Sequence, residues 1–473
     1  MPLLKFRLLI ACVIVAPLVA RAQTVSTVTA DGAWTWFNDP RAIYDNGKIY
    51  TGWMDSGGYV WFGLHDVASH STSAGKLYNG NFFQSDDHDN PAFILTSPTT
   101  IQSFYSPHGG AAVRTQPITL TGSNSFSLGA PLNLTRSGDV TGSNGWTYAN
   151  PFRLSAENKT YVFSRGPNFN PVMRIHDDSQ SYNTITSWST ATTFISNPGQ
   201  RPYVKYDSNN TNRVGIAFTD GHPRNVQNNI YYAYVQNGAY YRADGTKIKD
   251  VTDGPIVLSD MTGSGTVFNH LNSNSGVTGT NSWIWDVATD GGGHPVLTYA
   301  TFPSSTHHQY HWARWDGAQW IDRTLVADAG PYIGSPDEGN YSGGIVLDHT
   351  DPNIVYLSAN FGGMWNLLQY KTENDGASWT SRLIAAGTGA ADENVRPYVP
   401  LNRPADTEMV MWMRGQYDYW NFSQGVGYDT AMMVWTNPVP EPGSLGVIVL
   451  SLLLIRRGRR GVDAPCPHQG RGQ

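Results

Sequence analysis

Residues 86–108 read DDHDNPAFILTSPTTIQSFYSPH. Pro91 to Leu95 is a short apolar run, Ser97-Pro98-Thr99-Thr100 is a turn, and Ile101 to Tyr105 is a second apolar and aromatic run. Two such runs around a turn specify an antiparallel hairpin. The open ends of a hairpin lie about 5 Å apart, so His88 before the first strand and His108 after the second are expected on one rim. Facing imidazoles with acidic neighbours suit proton transfer near neutral pH. They equally suit metal binding, and two solvated loop histidines would read the same way.

The same pattern recurs: a polar or proline-containing start, an apolar strand, a Gly, Asn or Asp turn, a second apolar strand and a polar exit. It runs from Asn38 to Trp53, Asn90 to His108, Tyr148 to Arg165, Arg201 to His222, Trp283 to Thr301, Tyr341 to Asn360 and Arg396 to Arg414. Helical periodicity is almost absent. Starts are spaced by about 50–60 residues, with one longer gap before the fifth copy, which suits four-stranded propeller blades. The expectation is an all-β, seven-bladed β-propeller; a β-sandwich with appended domains is the alternative. Thr372 to Trp379 (TENDGASW) approximates an Asp-box turn, a marker of fold rather than of chemistry.

The ends of the 473-residue chain read differently. Residues 1–22 have a charged start (Lys5, Arg7), an apolar stretch and a small-x-small cleavage site at Ala20-Arg21-Ala22, as a secretory signal does. Val439-Pro440-Glu441-Pro442, the apolar run Leu445 to Ile455 and the arginines 456, 457, 459 and 460 follow in the order of a PEP-CTERM sorting tail. The apolar run is short for a stable membrane span. The expected division is therefore a signal at 1–22, a propeller at 23–437, a sorting segment at 438–461 and a short tail at 462–473. It implies export to the cell envelope or medium of a Gram-negative-type bacterium and a partnership with sorting machinery.

Both cysteines, Cys12 and Cys466, fall in these ends, so disulfides cannot hold the exported part together. Without residues 1–22 (three basic) and 438–473 (five basic, two acidic), 23 basic and 35 acidic residues remain, a net charge of −12. So acidic a protein is a poor nucleic-acid binder, and an anionic ligand would have to meet a local arginine cluster. The 12% aromatic content suits stacking on sugar faces as well as packing between sheets. A monomer is expected.

Seven equivalent hairpins would turn their open ends to one side. His88, His108, Tyr148, Arg165, Arg201, Tyr203, His222, Tyr398 and Arg414, mostly far apart in the chain, would then converge at one rim, where propellers bind ligands. His88, His108, Tyr148 and Arg165 are the catalytic candidates; Arg201, Tyr203, Arg396 and Tyr398 are assigned to substrate binding. The cluster is cationic and phenolic, without an obvious pair of facing carboxylates, which argues against standard glycoside hydrolysis. β-Elimination on a uronic acid calls for these residue types. Arginine neutralises the sugar carboxylate and stabilises the enolate that forms when the C5 proton leaves. A His or Tyr removes that proton, and another protonates the departing glycosidic oxygen.

The runs DDHDNPA and YSPH, then WTYANP, SRG, RPYVKY, AFTDGHPR, YYRADGT, SWIWDVA and YSGG, resemble the BNR-4 propeller family, which includes ulvan lyases and enzymes acting at rhamnose–glucuronate linkages. The resemblance covers Trp34 to Tyr428. It implies that His88 and His108 are the two pocket histidines, Tyr148 an acid/base, Arg165 the carboxylate-neutralising arginine and Tyr203 a substrate contact. Pro107 stands where a basic residue is often found, and Asp89 where Asn is common. Some relatives hold a structural metal, which makes His222 a candidate ligand with His270, His307, His308 and His311 as candidates by type; a hydrogen-bonded loop histidine is the other reading. The chemistry itself requires no cofactor. The leading expectation is a lyase acting on an anionic, ulvan-like polysaccharide. Its alternatives are a hydrolase releasing rhamnose from glucuronate, a sialidase and a non-catalytic glycan-binding propeller.

Overall fold

The computed structural model describes residues 23–269, 280–334, 338–389, 391–417 and 428–439. The signal expected at residues 1–22 and the sorting tail from residue 440 onward lie outside them. Seven antiparallel sheets follow one another around an axis as blades, and each begins with the hairpin read from the sequence. The innermost strands are Ala42–Asp45, Ala92–Ser97, Thr147–Leu154, Tyr203–Ser208, Asn281–Thr289, Ile345–Leu347 and Glu393–Tyr398. The all-β, seven-bladed propeller is therefore what the chain forms.

The seventh blade is made from both ends of the chain. Glu393–Tyr398, Thr407–Gln416 and Asp429–Pro438 are joined at the outer edge by Thr24–Thr29, with Val25 opposite Trp435. This closes the ring and leaves no pair of terminal edges to splay apart. Large apolar side chains fill the seams between blades; Trp283, Trp312, Trp412 and Trp435 are all buried. The Asp-box turn sits between Met364–Lys371 and Thr380–Ala385. There Asn374 Oδ1 accepts the Ser378 N–H at 2.9 Å, Gly376 takes φ +73°, and Trp379 packs on Trp312.

The asparagines at the starts of the early hairpins have a structural reason. Asn38 Nδ2 donates to the His88 carbonyl at 2.8 Å and to Asn90 Oδ1 at 3.1 Å, and its Oδ1 accepts the Ala149 N–H at 2.8 Å. Asn150 Oδ1 accepts the Asp39 N–H at 2.8 Å. These amides tie the first three blades together where strand ladders cannot reach, satisfying backbone groups that burial would otherwise leave unpaired.

The inner strands and the loops beside them also carry buried ions. Lys205 is paired with Asp39, and Arg41 lies 3.6 Å from the same carboxylate. His349 bridges Asp207 (Nδ1, 3.2 Å) and Asp286 (Nε2, 3.1 Å), and Arg403 is held by Asp348 at 2.5 Å.

Candidate active site

The turn before the second blade builds the histidine pair. Asp86 caps a single 3-10 turn, Asp87–Asp89, by accepting the His88 N–H at 2.9 Å, so backbone and side chain of His88 are fixed by one carboxylate. His88 Nδ1 lies 2.5 Å from Asp86 Oδ1, and His108 Nδ1 lies 2.7 Å from Asp86 Oδ2. The two imidazoles stack with centroids 4.3 Å apart and planes 11° from parallel. Asp89 Oδ1 accepts the His108 N–H at 2.7 Å and so holds the second ring's loop. One carboxylate accepting from both rings requires an Nδ1–H on each. Each ring then keeps its Nε2 without a partner among the described residues.

The shared carboxylate does not treat the rings alike. For His88, burial works against the charge, but Asp86, with Asp87 at 3.0 Å, outweighs it and holds the imidazolium well above the ordinary imidazole value. For His108, burial and the charge of His88 push the pKa down to about 4 against the pull of Asp86. At neutral pH the pair is one imidazolium and one neutral imidazole. Burial and the neighbouring Asp86 raise Asp89 well above the carboxylate range.

Tyr148 enters at a bulge in Thr147–Leu154, with φ +65°, and its ring centroid lies 5.8 Å from that of His88. A tyrosine in the left-handed region is strained by about 1–3 kcal/mol, a kind of strain that clusters at functional sites. Burial holds its phenol protonated, well above its usual pKa. Arg165 ends the next strand; it donates to Thr147 Oγ1 at 3.0 Å and to Tyr203 OH at 3.3 Å, and its guanidinium sits 5.0 Å from the Tyr148 ring centre. No carboxylate lies within ion-pair distance of Arg165 among the described residues. Arg201 stacks on Phe169 at 3.9 Å and is likewise without a carboxylate.

The structure thus brings His88, His108, Tyr148, Arg165, Arg201 and Tyr203 together. Tyr398 does not join them. A bulge between Val395 and Tyr398 places Arg396 toward the pocket floor and turns Tyr398 to the axial ions, its ring 4.4 Å from the Arg41 guanidinium. Arg414 is also elsewhere, paired with Asp392 at 2.7 Å. Arg396 reaches the floor but is only 1% exposed.

His222 borders the pocket, against Tyr203 and Trp283. Its Nδ1 accepts the Arg224 N–H at 3.1 Å, and burial with the nearby arginines lowers its pKa to about 3. The one acid beside it, Glu338 at 3.9 Å, is already held by Arg224, so its surroundings do not supply a metal's ligand set among the described residues. Three groups spaced to take a metal are instead Asp86, His88 and His108. His307 is exposed, whereas His308 and His311 are buried and hydrogen-bonded to Ser342 and Thr301; solvent-facing alternation holds only at the start of His307–Trp315. His270 lies outside the described residues.

Other participants were not legible. Tyr417, from the seventh blade, donates to Asp87 Oδ2 at 2.5 Å across 330 residues. The Trp36–Phe37 pair forms a ridge in the floor, with Phe37 against Tyr148 and Tyr203 and Trp36 against Trp285. Glu338, buried and with its pKa raised by that burial, stands beside His222 and is held by Arg224. The nearest signal for any of them was the aromatic run WTWFN at 34–38.

A propeller with an acid–base pair and uncompensated arginines at one rim defines the class, and comparison with known proteins gives the family. The profile described as BNR repeat-containing family member matches residues 48–327, and the chain belongs to that family. A PL25 ulvan lyase bound to a repeat of glucuronate and 3-sulfated rhamnose is similar over 87% of this chain and 95% of its own, at 12% identity and a TM-score of 0.60. An ulvan lyase structure of the same PL25 family is similar over 86% and 95%, at 12% identity and a TM-score of 0.59. The BP39L lectin of Burkholderia pseudomallei gives 87% and 99%, at 12% identity and a TM-score of 0.49. No curated protein sequence matches the chain.

Proposed function

We propose that the chain is a polysaccharide lyase that cleaves a uronate-containing, ulvan-like polymer by β-elimination. The observation that carries this reading is the single Asp86 carboxylate that splits two stacked imidazoles into an acid and a base beside Arg165, a guanidinium that no carboxylate neutralises among the described residues. Arg165 takes the uronate carboxylate, aided by Arg201 and Tyr203. Neutral His108, the more exposed of the pair, removes the C5 proton through its free Nε2. The C–H electrons become the C4–C5 double bond as the C4–O bond breaks. The leaving oxygen takes a proton from Tyr148, backed by the imidazolium of His88. No cofactor enters these steps.

The test is ultraviolet absorbance of the unsaturated product on a panel of uronate polysaccharides. Absorbance should rise with wild type and not with folded His108→Ala or Arg165→Ala protein. Chain cleavage without unsaturation would overturn the reading. It would favour a second one, hydrolysis at rhamnose–glucuronate linkages, for which Glu338, its pKa raised by burial, offers a carboxyl group.

We further propose that the protein acts as a monomer outside the cytoplasm, the tail serving as a sorting signal. Mass spectrometry of the mature protein from its native cells should find cleavage after Ala22; an intact residue 1 would count against export.

A further inference from the structure

Arg396 is the part of the pocket floor that the proposed reaction leaves unused. It is held at φ +55° in the bulge of Glu393–Tyr398 and is 1% exposed, out of reach of a polymer. Its guanidinium carbon lies 4.1 Å from the Trp36 ring centre, 5.1 Å from Tyr417, 5.2 Å from Tyr341 and 5.7 Å from Trp285. Those aromatic faces stabilise the charge in part. They do not accept its N–H groups in the plane of the guanidinium, and Nε, Nη1 and Nη2 are all buried without a hydrogen-bond partner among the described residues.

Two neighbours share the condition. The indole Nε1 atoms of Trp285 and Trp283 are also buried and unpartnered. Trp285 stacks on Trp36 at 4.4 Å, and Trp283 packs on Tyr341 at 5.6 Å. Orphaned buried donors are rare enough that each calls for an explanation. Here five nitrogens carry donors and none is an acceptor. A water molecule would bring two O–H donors of its own that need acceptors; a group that only accepts answers the donor set better. The uncompensated positive charge points the same way, and the burial sets a small size.

We infer that Arg396, with the indole N–H of Trp285, binds a small monovalent inorganic anion of the halide class in the floor of the propeller. The site lies behind Tyr417, whose hydroxyl holds Asp87 beside His88, but it does not depend on the elimination chemistry.

Crystals of the full chain soaked in sodium bromide should show an anomalous peak at the edge of the Arg396 guanidinium. In solution, sodium chloride should raise the unfolding temperature saturably over sodium gluconate of equal ionic strength, by roughly 1–3 °C at a hundredfold excess over Kd. Arg396→Met should abolish both effects. Trp285→Phe, which keeps a ring and removes only the indole donor, should weaken the chloride midpoint about tenfold. If Arg396→Met does not fold, the wild-type peak and the Trp285→Phe midpoint decide. A wild-type map with bromide only elsewhere, or a chloride response unchanged in the variants, overturns the inference.

Discussion

His88 and His349 are both buried imidazoles between two carboxylates, and both are held charged by them. They differ in which nitrogens are used. His349 spends Nδ1 on Asp207 and Nε2 on Asp286, so neither proton has anywhere to go. His88 meets Asp86 and Asp87 through Nδ1 alone and keeps its Nε2 proton deliverable. The same division runs through their surroundings. Around the axis, Lys205, Arg41 and Arg403 each have a protein carboxylate; at the pocket, Arg165, Arg201 and Arg396 have none among the described residues. Charges paired internally hold the blades in register, whereas charges left unpaired are ready for a ligand's charge.

The largest effects should separate the two regions completely. Arg165→Met or His108→Ala should lower turnover by about 10³–10⁴-fold in the unsaturated-product assay, with unfolding free energy changed by only about 1 kcal/mol, the worth of an ordinary hydrogen bond. Lys205→Met should do the reverse. Leaving Asp39 buried beside a single, more distant cation is expected to remove about 3–5 kcal/mol of stability, read by urea titration, while the folded fraction keeps its turnover. If Arg165→Met destabilised the protein as much as Lys205→Met, the distinction between structural and functional charge would fail.

That distinction was only partly legible in the sequence. The seven hairpins were, because each inner pair of strands carries its own turn and its own apolar runs. The pocket positions at hairpin ends followed from them, since His88, His108, Tyr148, Arg165 and Tyr203 need no more than correct blade geometry. Arg201-Pro202-Tyr203 and Arg396-Pro397-Tyr398 show where this stops. The tripeptides are identical, yet Tyr203 opens its strand and faces the pocket, while the bulge in the seventh blade gives the pocket-facing place to Arg396 and sends Tyr398 to the axis. A one-residue bulge reverses side-chain direction, and nothing in the tripeptide announces it. Tyr417 and Trp36 were hidden for another reason: their partners come from blades hundreds of residues away.

A smaller effect tests the inequality of the two pocket rings. Asp86→Asn keeps the shape but offers one acceptor and one donor where two acceptors stood, so one ring must change tautomer. Turnover should fall about 10²-fold. The pH profile should also change form. In wild type, activity rises with pH as His108 loses its proton near pH 4 and falls on the alkaline side as His88 loses its own. In Asp86→Asn both limbs should move to lower pH, because His88 loses the carboxylate that outweighs its burial and His108 loses the pull of Asp86 that opposed its own. Limbs that stay in place would mean that the shared carboxylate does not set the polarity of the pair.

The smallest effect concerns His349 and belongs to stability alone. Its folded pKa is raised above the unfolded value, because Asp286 and Asp207 outweigh the burial that opposes its charge. A group of this kind contributes its full stabilisation below the unfolded pKa, near 6.5, and loses it as pH rises through the folded value, at about 1.4 kcal/mol for each unit of separation. His349→Gln should therefore be less stable than wild type at pH 6, and the gap should narrow steadily on the alkaline side. His88 adds a term of the same sign, so the comparison must be between His349→Gln and wild type and not against a flat baseline. The alkaline limb of activity should be unmoved by His349→Gln, since the imidazolium that backs Tyr148 is that of His88. A shift of that limb would mean that the axial ions and the pocket titrate as one network.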